Sequence, residues 1–134
     1  MALPKRLLQL IVRCSLPPKT PANVPIACTI DAPPQITGKD SVYPFSGQVW
    51  ALRAIKVLSA PSPDVIAVVN KDGVEIFRSS PFSLIAGKVD KTELITTVEA
   101  VYNERNLLSF QAIPLAPVGD SKVDFSFFVE VGVF

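Results

Sequence analysis

The fold of this chain is decided by residues 65–77, which read Val65-Ile66-Ala67-Val68-Val69-Asn70-Lys71-Asp72-Gly73-Val74-Glu75-Ile76-Phe77. Two short apolar runs, rich in β-branched residues, flank a polar connection that ends in Asp-Gly. An Asp-Gly pair supplies the positive φ angle that tight hairpin connections require. The stretch therefore predicts a β-hairpin of residues 65–69 and 74–77, joined across residues 70–73.

Short apolar runs alternate with turn residues on both sides of this hairpin. Residues 44–47 precede the longest run, residues 49–58, which predicts a central strand with a bulge near Arg53. Runs and turns that repeat about every ten residues are typical of a β-sandwich or a small barrel. Further strands are predicted at residues 24–30, 82–85, 92–102, 107–113 and 123–131. The predicted fold-defining turn residues are Pro44, Gly47, Asn70, Asp72, Gly73 and Gly87.

The bulk composition supports a single all-β domain. The 134 residues suit one core, 49% of them are apolar, and thirteen prolines divide the chain into short segments. A net charge of +1 creates no field that would attract nucleic acid. No apolar run approaches the roughly 20 residues that span a bilayer, and residues 7–12 are too short for a signal-peptide core. We therefore predict an antiparallel β-sandwich without processing and without nucleic-acid or membrane partners.

The first 25 residues differ from the rest of the chain. Residues 1–30 carry four basic side chains and no acidic one, and residues 17–25 are rich in proline, which predicts an extended spacer. We expect residues 1–25 to form an N-terminal arm and residues 26–134 to form the sandwich. Whether the arm is helix, strand or coil, it must bury its apolar residues on its own domain or on a neighbouring subunit. Its predicted docking residues are Lys5, Arg6, Leu7, Leu8, Leu10, Ile11, Val12 and Arg13.

The chain has two cysteines, Cys14 and Cys28. Because there is no histidine, two thiols do not supply the four protein ligands of a structural zinc site. A disulfide between them is sterically possible. Buried free cysteines, which behave as small hydrophobic residues, are the expectation.

The sequence offers little for catalysis. Without histidine there is no Ser-His or Cys-His nucleophile pair, the six glycines are isolated, and the acidic residues show no metal-loop spacing. Two carboxylates that meet in space are the one catalytic arrangement left open. We expect a protein that is not an enzyme, with no cofactor, no metal and no small-molecule ligand.

Assembly is the main expectation that remains. The mean hydropathy is +0.37, and Phe128 falls among the polar positions of the alternating run 123–131. Such apolar surface is commonly covered by a second subunit. Phe128 and Phe134 are therefore the predicted subunit-interface residues, the alternative being that the apolar residues fill a large core.

The order of the turn motifs resembles a module of tailed-phage virion proteins. The likeness covers residues 42–134, and residues 103–106, Asn-Glu-Arg-Asn, replace the Gly-Asp that is usual in that family. It implies a jelly-roll-like sandwich that commonly trimerises and has no catalytic residues. The motifs that carry it are Pro44-Phe45-Ser46-Gly47-Gln48-Val49, residues 65–77, Pro81-Phe82-Ser83-Leu84-Ile85-Ala86-Gly87, and the runs 107–113, 117–119 and 123–131.

The resemblance implies a capsid decoration, or cement, protein on the outer surface of a phage head. Its partners would be the major capsid protein and copies of itself in a homotrimer, with the arm docked on a neighbouring subunit. One alternative is a head- or tail-fibre or spike module that binds a receptor or carbohydrate through Trp50, Tyr43 and Tyr102, which are otherwise core aromatics. Another is a penton-like or fibre-base protein, which differs only in symmetry.

Overall fold

In the computed structural model, which describes residues 3–32 and 36–134, the chain forms two antiparallel β-sheets packed face to face. In chain order the elements are β1 (Arg6–Leu16), β2 (Ile26–Ala27), β3 (Thr29–Ala32), β4 (Ile36–Lys39), β5 (Ser41–Val42), β6 (Trp50–Lys56), β7 (Val65–Lys71), β8 (Val74–Arg78), α1 (Phe82–Ala86), β9 (Thr92–Leu94), β10 (Val101–Tyr102), β11 (Leu108–Pro114) and β12 (Val123–Val133).

The two sheets exchange strands along the chain. The large sheet has the order β10-β6-β12-β1-β3-β4, and β9 also pairs with β6. The small sheet has the order β2-β11-β7-β8, and β5 also pairs with β11. After β6 the chain passes to the small sheet for β7 and β8, returns for β9 and β10, and crosses twice more for β11 and β12. The predicted all-β sandwich is confirmed, and this repeated crossing gives it a jelly-roll-like character.

The core lies between the inward faces of the two sheets. In β12 alternate residues from Val123 to Val133 face inward, so the alternation predicted for this strand is confirmed. The Phe127 ring makes T-shaped contacts with Phe82 and Phe110, at centroid distances of 5.3 and 6.1 Å. Edge-to-face geometry is favourable for aromatic pairs, so these contacts fix the separation of the sheets.

The hairpin and the bulge predicted near the middle of the chain are confirmed. β7 and β8 pair antiparallel with a register shift between Val69 and Asn70, and the connection is shorter than predicted. Asp72 and Gly73 alone form the turn, with φ angles of 53° and 81°, and Asn70 lies within β7. β6 lies inside the large sheet, and its register against β12 shifts after Glu130, where Arg53 is the extra residue.

The N-terminal segment is not an arm. Residues 6–16 form β1, which lies between β12 and β3 and pairs with β12 along its whole length. Leu8, Leu10 and Val12 face the core, because every second residue of the segment is apolar. A strand with a hydrogen-bonded neighbour on each side cannot detach without breaking the sheet. The expectation of a detachable arm is therefore wrong for these residues.

The proline-rich segment forms two turns, and the predicted extended spacer is wrong. Lys19 and Asn23 have φ angles of 60° and 66°. The Lys19 N–H donates to the carbonyl of Gly119, and the Asn23 N–H donates to the carbonyl of Pro114, both at 2.8 Å. These bonds hold the segment against the end of β11 and the connection that follows it.

One other local prediction is wrong and another holds in part. Residues 82–85, predicted as a strand, begin the short helix α1, which lies between Pro81 and Gly87. Its buried residues, Phe82 and Ile85, are three positions apart, which places them on one face of a helix. Residues 92–102, predicted as one strand, form only β9 and β10 with a connection between them.

The chain crosses from the small sheet to the large sheet at Cys28. β2 pairs with β11 in the small sheet, whereas β3 pairs with β1 in the large sheet. The Cys28 N–H donates to the carbonyl of Phe110 at 3.0 Å. The strand predicted over residues 24–30 is therefore two short strands with a corner between them.

Cys14 and Cys28 form a disulfide, so the expectation of free cysteines is wrong. The register of β1 against β3 places Arg13 opposite Thr29, which brings Cys14 opposite Cys28. Their Cα atoms are 4.7 Å apart, within the range of about 4.4–6.8 Å that disulfides span. The bond joins the middle of the large sheet to the corner that leads into the small sheet.

Candidate functional site

The outward face of the large sheet is the candidate site. Residues directly opposite each other on antiparallel strands point to the same side of a sheet, so the register defines rows across this face. In order along β1, the rows contain Leu7, Gly132, Ala51 and Val101; Gln9, Glu130, Ala54 and Leu94; Asp31, Ile11, Phe128, Lys56 and Thr92; Thr29, Arg13 and Ser126; and Ser15 and Asp124.

The first two rows are mostly apolar, and we call them the apolar end. Leu7, Leu94 and Val101 are 56%, 66% and 45% exposed. Ala51 and Gly132 lie between them in the first row, and Gly132 is buried because the side chains of Arg53, Pro4 and Phe134 lie 3.4–3.5 Å from the position of its absent Cβ. Single exposed apolar side chains are common on proteins, but these lie in adjacent rows of one face. The apolar end therefore has the composition of a protein-binding surface.

Charged pairs border the apolar end. Lys56 Nζ lies 3.0 Å from a carboxylate oxygen of Glu130, and Arg53 Nε lies 3.9 Å from the other. All three side chains are partly exposed, so each pair contributes about 1 kcal/mol or less to stability. Charges at the rim of an interface mainly set the orientation of a partner.

The last two rows are polar and line a groove, which we call the polar groove. Its volume is about 490 Å³. It opens where the chain changes sheets, because Thr29 still pairs with β1 whereas Ala27 has turned to pair with β11. The side chains that line it include Arg13, Ser15, Thr29, Asp124, Phe125 and Ser126.

Arg13 is oriented by Asp31, which lies nearly buried on β3. Arg13 Nε donates to Asp31 Oδ2 at 2.6 Å, and the Gly38 N–H donates to Oδ1 at 2.6 Å. These bonds, first the one from Arg13, hold the pKa of the Asp31 carboxyl below its ordinary value. The ion pair uses Nε, so both terminal nitrogens of Arg13 remain as donors beside the groove.

Asp124 forms another part of the groove lining. Its carboxylate accepts a hydrogen bond from the Ser15 hydroxyl and one from Lys122, whose Nζ lies 3.3 Å away. Both bonds lower the pKa of Asp124. Asp124 is therefore ionised at neutral pH and acts only as a hydrogen-bond acceptor.

The predicted docking residues divide into two sets along β1. Residues of the first set face the core and are closed to a partner: Leu8, Leu10 and Val12. Residues of the second set are exposed or half-exposed: Lys5, Arg6, Leu7, Ile11 and Arg13. The structure brings Leu7 into the apolar end and Arg13 into the polar groove, at opposite ends of the strand.

The predicted interface aromatics lie on the same outward face. Phe128 is half-buried in the third row, opposite Ile11. Phe134 is half-buried beside Gly132, and its N–H donates to the Val49 carbonyl at 2.8 Å. Both are placed next to the apolar end.

The three aromatics considered for sugar stacking do not meet. Trp50 and Tyr102 are fully buried, which makes them core residues, whereas Tyr43 is 53% exposed. The Tyr102 hydroxyl donates to the Asn70 carbonyl at 3.0 Å and so joins the large sheet to the small one. Burial raises the pKa of Tyr102, which keeps the hydroxyl protonated.

The predicted turn residues support the connections rather than a site. Pro44 and Gly47 precede β6, and Gly47 has a φ angle of 78° that favours glycine. Asp72 Oδ1 accepts the Leu107 N–H at 2.8 Å, which ties the hairpin turn to the start of β11. This bond and a second one from Asn106 lower the pKa of Asp72.

The described residues show neither a metal site nor a membrane-spanning helix. Within residues 3–32 and 36–134, no group of three or more His, Cys, Asp or Glu side chains is placed to hold a metal ion. Over the same residues, no helix has both the length and the apolar character needed to cross a membrane. Comparison with protein-family models, with characterised proteins and with solved structures finds no match for this chain.

Sequence reasoning missed the polar groove. The signal available was alternation, since Arg13 and Ser15 flank Cys14, and Asp124 and Ser126 flank Phe125. Such a pattern predicts two polar strand faces but not that they are neighbours. The pairing of β1 with β12 joins residues more than a hundred positions apart, which no local pattern reveals.

Proposed function

We propose that this protein is a structural virion component that assembles through the apolar end, as a capsid decoration or cement protein on the outer surface of a phage head. The observation that carries the proposal is the set of exposed Leu7, Leu94 and Val101 on adjacent rows of one sheet face. The backbone of these strands is already ordered by the sheet, so binding of a partner does not carry the cost of ordering it. The motif order of residues 42–134 supports the phage setting.

The proposed partners are copies of this chain, in a homotrimer, and the major capsid protein. Leu94 and Val101 contact a neighbouring copy, and Glu130 with its two cations fixes the orientation of that contact. Docking of a mobile arm has no part in this proposal, because β1 is a central strand.

The assembly step is tested by the double substitution Leu94→Lys with Val101→Lys. Each lysine places a charge on the apolar end at an exposed position, so the fold is retained while association is lost. Sedimentation velocity should give the wild type a mass three times the 14.5 kDa of one chain and the variant the mass of one chain. The matched control is Val74→Lys, a β-branched residue that is 65% exposed on the small sheet.

A wild-type protein that stays monomeric at high micromolar concentration would contradict assembly, as would a double variant that still forms trimers. The capsid step is tested separately by cosedimentation with shells assembled from the major capsid protein of the same genome. Trimers that fail to bind these shells would leave assembly standing and remove the cement role.

A second candidate is a fibre or spike module that binds a receptor or carbohydrate. The feature that favours it is the polar groove, although the exposed Tyr43 does not line that groove. Binding to immobilised glycans without binding to capsid shells would select this candidate.

A further inference from the structure

We infer that the polar groove is a binding site for a neutral saccharide. The inference deepens the second candidate function and does not rest on the cement function, because the groove lies at the opposite end of the sheet face from the apolar end. Leu7 and Ser15 are eight residues apart on β1, which corresponds to about 26 Å along an extended strand. A ligand in the groove leaves the apolar end free.

The first argument is the mixture of donors and acceptors. Arg13 offers its terminal nitrogens, Asp124 offers carboxylate oxygens, and the Ser126 hydroxyl can both donate and accept. The Thr29 hydroxyl, which donates to the Arg13 carbonyl at 3.5 Å, can accept. Sugar hydroxyls also donate and accept, so they match a lining that contains groups of both kinds. A ligand with acceptors alone would match only the donors of this lining, because the Asp124 carboxylate is itself an acceptor.

The second argument is charge. Arg13 is paired with Asp31, and Lys122 is paired with Asp124, so the groove and its border carry two cations and two carboxylates. Their sum is zero. A site for phosphate or another strong anion would need an excess of positive charge, and a site for a polyamine would need an excess of negative charge. The equal numbers of positive and negative charges therefore favour a neutral ligand.

The third argument is size and lining. A volume of about 490 Å³ lies within the range of about 300–1,000 Å³ that small-molecule sites occupy. Phe125 lies on the inward side of β12, where it packs on Phe82 at a centroid distance of 6.0 Å, and its partly buried ring is the apolar part of the groove lining, against which the C–H face of a sugar ring can pack. The disulfide at Cys14 holds the corner of the groove in a fixed shape, so the site is formed before the ligand arrives.

The inference is tested by titrating the full chain with D-glucose, D-galactose and N-acetyl-D-glucosamine and following backbone amide shifts by NMR. At least one sugar should shift the amides of residues 13–15, 27–29 and 124–126 with millimolar affinity. Ser126→Trp should weaken that binding by about tenfold or more, because the indole fills the groove. Ser126→Ala, which removes one hydroxyl without adding bulk, should weaken it by a smaller factor.

The matched control is Gln9→Trp, which places the same side chain on an exposed position of β1 outside the groove. This variant should bind as the wild type does. The inference is overturned if no sugar shifts these amides, if Ser126→Trp binds as well as Gln9→Trp, or if inorganic phosphate binds more tightly than every sugar. Leu94→Lys with Val101→Lys should leave sugar binding unchanged, so this result and the assembly result are read independently.

Discussion

The apolar end and the polar groove lie on one face of one sheet, and they share β1 and β12. Toward the core, these strands are alike at both ends, since Leu8 near one end and Leu16 near the other are both buried. Toward solvent they differ completely: Leu7 is exposed in one row and Arg13 in another. Folding requires the inward residues to be apolar but leaves the outward ones free. The outward difference therefore reports what each end contacts.

The two ends also differ in how they are tied to the small sheet. Near the apolar end the tie is a hydrogen bond from the Tyr102 hydroxyl to the Asn70 carbonyl. Near the polar groove the tie is covalent, through the disulfide between Cys14 and Cys28. A fixed corner suits the ligand site proposed for the groove, whereas the proposed assembly surface carries no covalent constraint of this kind.

The contrast between the two sides of β1 gives the largest expected effect. Leu10→Ala should reduce the free energy of unfolding by about 2–5 kcal/mol, because Leu10 is fully buried in a central strand. Leu7→Ala, on the outward side of the same strand, should change it by about 0.5 kcal/mol or less. Guanidinium unfolding of both variants measures the difference. Equal small effects would mean that residues 6–16 are an arm and not a core strand.

The second largest effect is expected from the disulfide, the covalent one of the two links between the sheets. Replacing both Cys14 and Cys28 with alanine should reduce the free energy of unfolding by about 3 kcal/mol, the value for closing a loop of this length. Hydrogen exchange should accelerate most at residues 26–32 and least around β10. A uniform acceleration across both ends would show that the disulfide does not act on the groove corner in particular.

Tyr102→Phe tests the hydrogen-bonded tie near the apolar end. Removal of the hydroxyl leaves the Asn70 carbonyl without this donor in the interior, at a cost of about 1–2 kcal/mol in unfolding free energy. The effect should be smaller than that of the cysteine double variant under the same denaturant. A larger loss would mean that the hydrogen bond contributes more to the free energy of unfolding than the disulfide does.

The smallest effect expected is a pH dependence of stability that arises from Asp31, the partner of Arg13 beside the polar groove. Because Arg13 and the Gly38 N–H lower the pKa of Asp31, this carboxyl stabilises the fold above its unfolded pKa near 3.8. The contribution disappears as the pH falls through the lower pKa of the folded state. Asp31→Asn should therefore show a smaller drop in Tm between about pH 5 and about pH 2 than the wild type. Asp120→Asn, at an exposed loop position, should retain the wild-type slope.

Much of the sandwich could be predicted because its signals are local. The turn at Asp72 and Gly73 lies between its own two strands, and the alternation of β12 is complete within eleven residues. The bulge at Arg53 was visible because the apolar pattern changes sides at that residue. Each of these features depends on residues that are close in sequence.

The rest depends on contacts between distant residues. β1 was mistaken for an arm because Leu7 and Ile11 are apolar on its outward side and hide the alternation. Its partner strand begins at Val123, so nothing nearby marked it as central. The disulfide and the groove follow from the corner at Cys28, where a continuous run of residues changes sheets. The sequence shows no break there.

The position of β12 between β6 and β1 also fixes the order of events during synthesis. The large sheet has one half made of β1, β3 and β4 and another made of β6, β9 and β10, and β12 is the strand that joins them. These halves cannot unite until residues 123–133 have left the ribosome, although both are made much earlier. Contacts between such distant residues form slowly and leave apolar faces open in the meantime. The large sheet is therefore complete only once β12 has been added, and until then the edges of its two halves, at β1 and β6, lack their partner strand.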